Sequence, residues 1–368
     1  MKVEFNKFNE FYLEHKNEAD ALISKVLESG QYIRSKNIEV LENNLAKLCN
    51  RKFIITNSSC TDAIFLALKT IDLKPKEEVI LPSFSYIASL SPILMCGAKP
   101  VFVDINKESL TASIDSIYEA VTEKTKAIIF VQLFGNIIEL SDLHEFCLEK
   151  NIVLIEDAAQ SIGAKHKNFM GASQGDLSCL SFDPTKIISA FGTGGAVLTN
   201  NEKYFNKLKK LIHHGRNENG EFEILGYNSK ISEINASLIN IQLQYLDKFI
   251  AKNNELAKIY FSYLKNIPQI KAIKPPKHNI SNFHKFVILA TNRNDLKKYL
   301  YSHGIETKIH YSPLLHEHKL LNSFDFKTYD LQNSEYIKEK VLSLPIYPNL
   351  EKEKIQYICQ CIKNFYEL

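Results

Sequence analysis

No stretch of this chain is apolar enough, for long enough, to cross a bilayer as a helix. The most apolar run, residues 127–138, is broken by Gln132, Gly135 and Asn136, whereas a spanning helix needs about 20 apolar residues. Neither sign of charge dominates: 45 Lys and Arg against 42 Asp and Glu leave +3, without the basic stripe of a nucleic-acid binder. The seven cysteines are scattered and odd in number, and Cys359-Gln360-Cys361 lacks the spacing of a zinc or redox pair. Nothing supplies a third ligand at sensible spacing beside Glu317-His318, so no metal is expected. The opening residues Met1-Lys2-Val3-Glu4-Phe5 carry no signal-peptide pattern, and internal repeats and low-complexity segments are missing. These absences lead us to expect a soluble cytoplasmic protein with reduced thiols, partnered with neither membrane nor nucleic acid.

What is present suits a globular chain. Apolar residues make up 45% of its 368 positions, enough for one large and one smaller domain. Strand-like segments at 54–55, 79–81, 101–103, 127–131 and 152–155 alternate with helical ones at 61–70, 87–96, 113–121 and 141–150. The continuous apolar run at 127–131 marks a strand buried on both faces. This alternation predicts an α/β fold with a mostly parallel sheet flanked by helices. From Ile231, apolar residues recur at helical spacing through Ile234, Leu238, Ile241, Tyr245 and Phe249, and the helix extends to Leu264 before Pro268. Segments at 286–289, 295–302, 307–311 and 351–365 then form a smaller α+β domain. The expected division is residues 1–245 and 246–368.

Lys186 is the most informative residue. It follows the strand-like Leu180-Ser181 by way of Phe182-Asp183-Pro184-Thr185, and precedes the turn Gly192-Thr193-Gly194-Gly195. Upstream, Ile152-Val153-Leu154-Ile155 ends in Glu156-Asp157-Ala158-Ala159-Gln160. Ligands of such sheets sit beyond the carboxyl ends of the strands, so Thr61, Tyr86, Asp157 and Lys186, each following a strand, are expected to converge at one edge. A buried carboxylate and an amine placed this way suit pyridoxal phosphate (PLP). The amine bonds to the cofactor's aldehyde, and the carboxylate keeps the pyridine nitrogen protonated. Blander readings stand beside this one: Ser59 to Asp62 fits an ordinary helix cap as well as an anion cradle, and Asp157 could cap a helix.

Several further segments carry a resemblance. They are Asn57-Ser58-Ser59-Cys60-Thr61-Asp62-Ala63, residues 78–88, residues 97–104, Gly226-Tyr227-Asn228-Ser229-Lys230 and His310-Tyr311-Ser312-Pro313-Leu314-Leu315-His316. Together with the aspartate and lysine segments, their order and spacing resemble the DegT/DnrJ/EryC1/StrS family of sugar aminotransferases, which have the PLP-dependent transferase type I fold.

The resemblance implies site roles. Cys60, Thr61 and Ser181 would cradle the cofactor phosphate, Tyr86 would cover the ring, and Gln160 would neighbour the ring hydroxyl. Asn228 would reach the phosphate of a second subunit, making a homodimer with shared active sites. Tyr32, Asp183, His310, Tyr311 and His316 would lie near the substrate. Four positions depart from the family pattern: Asp183 replaces a usual His or Tyr, Cys60 and Ser35 replace glycines, and Lys230 replaces an arginine. The implied reaction transfers an amino group from an amino acid, glutamate by resemblance, to a keto-sugar linked to a nucleotide, for polysaccharide or glycan building. A small phosphorylated ketone or free keto-sugar is the alternative acceptor, and a non-catalytic PLP-binding regulator is the reading from another class.

Overall fold

Residues 79–81, 101–103 and 127–130 have no solvent-accessible surface, as strands covered on both faces require. In the computed structural model, which describes residues 1–367, they lie at the centre of a large sheet. The strands in chain order are β1 (Phe53–Asn57), β2 (Glu78–Pro82), β3 (Lys99–Val103), β4 (Thr125–Val131), β5 (Val153–Asp157), β6 (Lys165–His166) and β7 (Phe169–Met170). They continue with β8 (Leu177–Ser181), β9 (Gly195–Thr199), β10 (Ile270–Ala272), β11 (Asn279–Ile280), β12 (Phe286–Ala290), β13 (Lys327–Thr328) and β14 (Val341–Leu344).

The large sheet runs β1-β9-β8-β5-β4-β2-β3-β13. All its neighbours pair in parallel except β9, which is antiparallel to both β1 and β8. Alternation along β4 sends Ala127, Ile129 and Val131 into one apolar cluster and Ile128 and Phe130 into another, so both faces are helix-covered. Because β8 and β5 are parallel, Ser181 and Asp157 reach the same edge, and Gly195, pairing with both Asn57 and Ser181, starts there.

A second core forms around Tyr260, Phe286, Leu296, Leu342 and Ile358, with the sheet β10-β12-β14 beside helices Leu246–Leu264, Arg293–Ser302 and Lys352–Glu367. Chain segments cross between the two packing units in both directions. Val3 joins the second core and donates its N–H to the Gly304 carbonyl at 2.8 Å, while β13 pairs with β3 at the far edge of the large sheet.

Three expected elements differ in detail. The helix foreseen up to Leu264 divides at Tyr245 into Glu233–Gln244 and Leu246–Leu264. The 87–96 helix splits into a 3-10 turn, Ile87–Ser89, and a short helix, Ser91–Met95, opened by Pro92 in its first turn, where a missing N–H is harmless. Residues 307–311 make a single bridge, Lys308 to Ser343, and no strand. Among the described residues, no helix is long and apolar enough to cross a membrane.

Candidate active site

The alternation of β5 sends its two terminal carboxylates to opposite faces. Glu156 has no exposed surface and accepts the N–H groups of Ala172 at 3.1 Å and Gln174 at 2.9 Å, and the Ser178 hydroxyl at 3.0 Å. The Arg51 guanidinium also donates to Ser178 Oγ at 2.7 Å. That network is structural. Asp157 lines a cavity of about 480 Å³ beyond the strand ends. It accepts the Ser89 hydroxyl at 2.8 Å and the Ala159 N–H at 3.1 Å. Burial pushes its carboxyl above the usual range, with Ser89, Ala159 and the nearby Lys186 amine pulling the other way.

Lys186 is held on a loop closed at its base. Fully buried Phe182 donates its N–H to Gly194 at 2.9 Å and accepts that of Ala190 at 2.7 Å. Within the loop the Lys186 N–H meets the Asp183 carbonyl at 2.9 Å, and Asp183 Oδ1 accepts the Thr185 N–H at 2.9 Å and hydroxyl at 2.6 Å. Asp183 therefore orders the turn that presents the lysine. Burial lowers the proton affinity of the Lys186 amine, while Cys60, Asp157 and Asp183 oppose that shift.

Across the cavity begins the helix Cys60–Thr70. Its N-cap Ser59 takes the Asp62 N–H at 3.1 Å, and the first-turn N–H groups of Cys60 and Thr61 have no intrahelical acceptor. Both residues line the cavity, where the positive end of the helix favours an anion. Ser181 sits beside them and accepts the Asp183 N–H at 3.3 Å. Gly195 lets the strand pass this turn closely: a Cβ there would lie 2.4 Å from Ser59 C and 2.5 Å from Ser59 O.

Tyr86, Gln160, His310 and Tyr311 line the same cavity. Gln160 accepts the Phe134 N–H at 2.7 Å and donates to the Tyr311 hydroxyl at 2.9 Å, and the Tyr311 ring lies 5.9 Å from that of Tyr86. Burial raises the Tyr311 phenol. Burial, reinforced by Lys285, Lys308 and Lys186, pushes His310 down to about 3, so its ring is neutral and pairs with the Ser343 hydroxyl at 2.9 Å.

Three expected site residues lie outside this cavity. Tyr32 is 52% exposed and donates its hydroxyl to Leu27 O at 3.4 Å. Asn228 is exposed and bridges to His213 through the backbone. His316 holds the Ser83 hydroxyl at 2.7 Å, with Glu317 and Glu335 close by. Both of those carboxylates are ion-paired to Lys338. Reasoning from motifs missed Ser89, Asn6, His284, Lys285 and Lys308, all of which line the cavity. No spacing rule flags them, because they arrive from the N-terminus, a 3-10 turn and the second packing unit.

The groups present fit pyridoxal phosphate. A buried carboxylate hydrogen-bonded by neutral donors suits a protonated pyridine nitrogen, the free helix-end N–H groups suit a phosphate, and the lowered lysine suits an aldehyde.

Comparison with known proteins agrees. The profile of the DegT/DnrJ/EryC1/StrS aminotransferase family matches residues 14–363. A pleiotropic regulatory protein of Geobacillus stearothermophilus is 32% identical over 368 residues, covering 100% of this chain and 99% of the relative. The UDP-2-acetamido-2-deoxy-3-oxo-D-glucuronate aminotransferase of Pseudomonas aeruginosa is 30% identical, covering 95% and 96%. The X-ray structure of S. venezuelae DesV in complex with a ketimine intermediate superposes with a TM-score of 0.95 at 30% identity, covering 100% and 99%.

Proposed function

The chain belongs to the DegT/DnrJ/EryC1/StrS aminotransferase family and is a PLP-dependent aminotransferase, and from that premise we propose that it carries an amino group from glutamate to the ketone carbon of a nucleotide-linked sugar. The observation that carries this reading is the convergence of Lys186, Asp157 and the Cys60–Thr61 helix end on one cavity. UDP-sugar and dTDP-sugar transaminases among its relatives supply the acceptor class. The reaction belongs in the cytoplasm, in keeping with seven free, buried cysteines.

When bound, the cofactor supplies an aldehyde that takes up the amino group and a ring that accepts the electrons left by a departing proton. The rest falls to the chain. Asp157, its orientation fixed by Ser89 and the Ala159 N–H, would hold a proton on the ring nitrogen. The Cys60 and Thr61 N–H groups and the Ser181 hydroxyl, all at the cavity, would hold the phosphate. Tyr86 would cover the ring face, and Gln160, steadied by Phe134 and Tyr311, would border the ring hydroxyl. Lys186, its proton affinity lowered by burial, would take the proton from the substrate carbon and serve as its carrier within the site. Donor and acceptor then react in turn, giving ping-pong kinetics.

The test loads the protein with pyridoxamine phosphate. It is then mixed with UDP-, dTDP- and GDP-linked keto-sugars, free keto-sugars and phosphorylated keto-trioses, and the cofactor absorbance is followed through one turnover. A nucleotide-linked sugar should react fastest. Equal or faster reaction with a free or merely phosphorylated ketone overturns the acceptor assignment. No reaction across the panel, with cofactor bound, would point to a regulator instead.

A further inference from the structure

One group of donors in the cavity has no part in the chemistry above. Lys285 directly precedes β12, is 8% exposed and lines the cavity. Its amine makes no hydrogen bond or ion pair with any described residue. Asn6 lines the cavity too, and its Nδ2 is buried without a partner. Lys308 stands at the same wall. Phe5, next to Asn6 in the chain, ties the two lysines together: the amines of Lys285 and Lys308 each lie 5.2 Å from its ring centroid. Phe5 is itself fixed, because its N–H donates to the Glu306 carboxylate at 3.0 Å and Val3 is bonded to Gly304.

Burying an amine and an amide donor without acceptors is costly, and a folded chain normally pairs such groups. The nearby acid, Asp183, has Oδ1 occupied by Thr185. Burial and the charges of Lys186 and Lys308 push Lys285 down to about 7, which is what an amine still lacking its counter-charge shows.

We propose that Asn6, Lys285 and Lys308 form an oxyanion subsite that holds the substrate by a carboxylate or phosphate group. It rests on the transamination reading, and it makes an anionic substrate group a condition of tight binding. The oxyanion has two sources, the carboxylate of the amino donor and the phosphate of the acceptor. Charge-assisted hydrogen bonds to either are the strong kind.

The experiment uses the holoenzyme as wild type, Lys285→Met, Lys285→Arg and, because Lys285 is buried, the exposed-site variant Lys308→Met. One arm titrates L-glutamate and follows cofactor absorbance; the other titrates inorganic pyrophosphate by calorimetry. Lys285→Met should raise the half-saturating concentration of at least one probe roughly tenfold to a hundredfold. Lys285→Arg should recover most of the loss, and Lys308→Met should weaken the same probe. A loss confined to glutamate assigns the subsite to the donor carboxylate, one confined to pyrophosphate assigns it to the acceptor, and loss of both makes it common to the two half-reactions. Both probes within twofold of wild type in Lys285→Met and Lys308→Met overturn the subsite. Wild-type enzyme that binds pyrophosphate but shows no spectral change with glutamate counts against the transamination reading alone, and the pyrophosphate arm then decides the subsite. Wild type that engages neither probe overturns both.

Discussion

An amine accepts a substrate proton only when it is uncharged, and the surroundings of Lys186 move it that way. Lys186→Ala should therefore abolish turnover and the visible absorbance of the lysine-bound cofactor, although the helix-end cradle still retains free cofactor. Full activity in that variant would sink the catalytic role. Asp157→Asn keeps the shape and the Ser89 contact but cannot hold the ring nitrogen protonated. The rate should drop by roughly two to four orders of magnitude; single-turnover rates within a few-fold of wild type would assign that proton to another group. Lys285 gives a prediction on stability. Its folded pKa of about 7 lies below the ordinary 10.5, so the unfolded chain binds more protons between those values, and folding stability rises with pH across that window. Lys285→Met removes the penalty. The variant should be more stable than wild type at pH 7, by no more than about 4 kcal/mol, and the gain should shrink as pH approaches 10. Urea unfolding at several pH values in phosphate-free buffer checks this, and a gap that does not change with pH counts against a strained, unpaired amine.

Period-two alternation is why β5 serves two purposes, giving Glu156 to the scaffold and Asp157 to the cavity. Helix ends do comparable work. The helix Lys36–Cys49 begins at Ser35 with no side-chain cap of its own. Buried Glu233, at the start of another helix, supplies the acceptor by taking the N–H groups of Ser35 at 2.6 Å and Asn37 at 3.0 Å. A carboxylate at a helix N-terminus satisfies free donors and complements the dipole. Glu233→Gln should cost about 1–2 kcal/mol, the range of a lost cap, read as a lower urea midpoint with an unchanged m-value. An unchanged midpoint would show that water caps the helix equally well. The 3-10 turn Ile87–Ser89 has its own consequence, because it delivers the Ser89 hydroxyl to Asp157.

At the scale of the molecule, Asn228 is exposed and outside the cavity of its own chain, which suits a residue reaching a partner's cofactor phosphate. If it does so in a two-fold dimer, mixing Lys186→Ala with Asn228→Asp under subunit exchange places both defects in one site of the hybrid and none in the other. About half of the hybrid's sites should then work. No recovered activity despite confirmed exchange, or an active monomer, would rule out shared sites. The alternation of strand and helix, the continuous apolar run at 127–131 and the aspartate and lysine after their strands were legible in the sequence, because burial and period act over a few residues. Tyr245 as a helix break was not, since the apolar period runs straight through it. Nor was the displacement of His316 to Ser83, because proximity in a motif does not fix which way a side chain turns. Sequence alone thus determined the α/β class and the cofactor, and singled out Lys186 and Asp157 as the residues proposed for its chemistry. Tertiary structure alone decided that Asn6, Phe5, Lys285 and Lys308 meet at that cavity, because a contact spanning about 280 residues or more leaves no local pattern; it exists once the first residues pack against the second core.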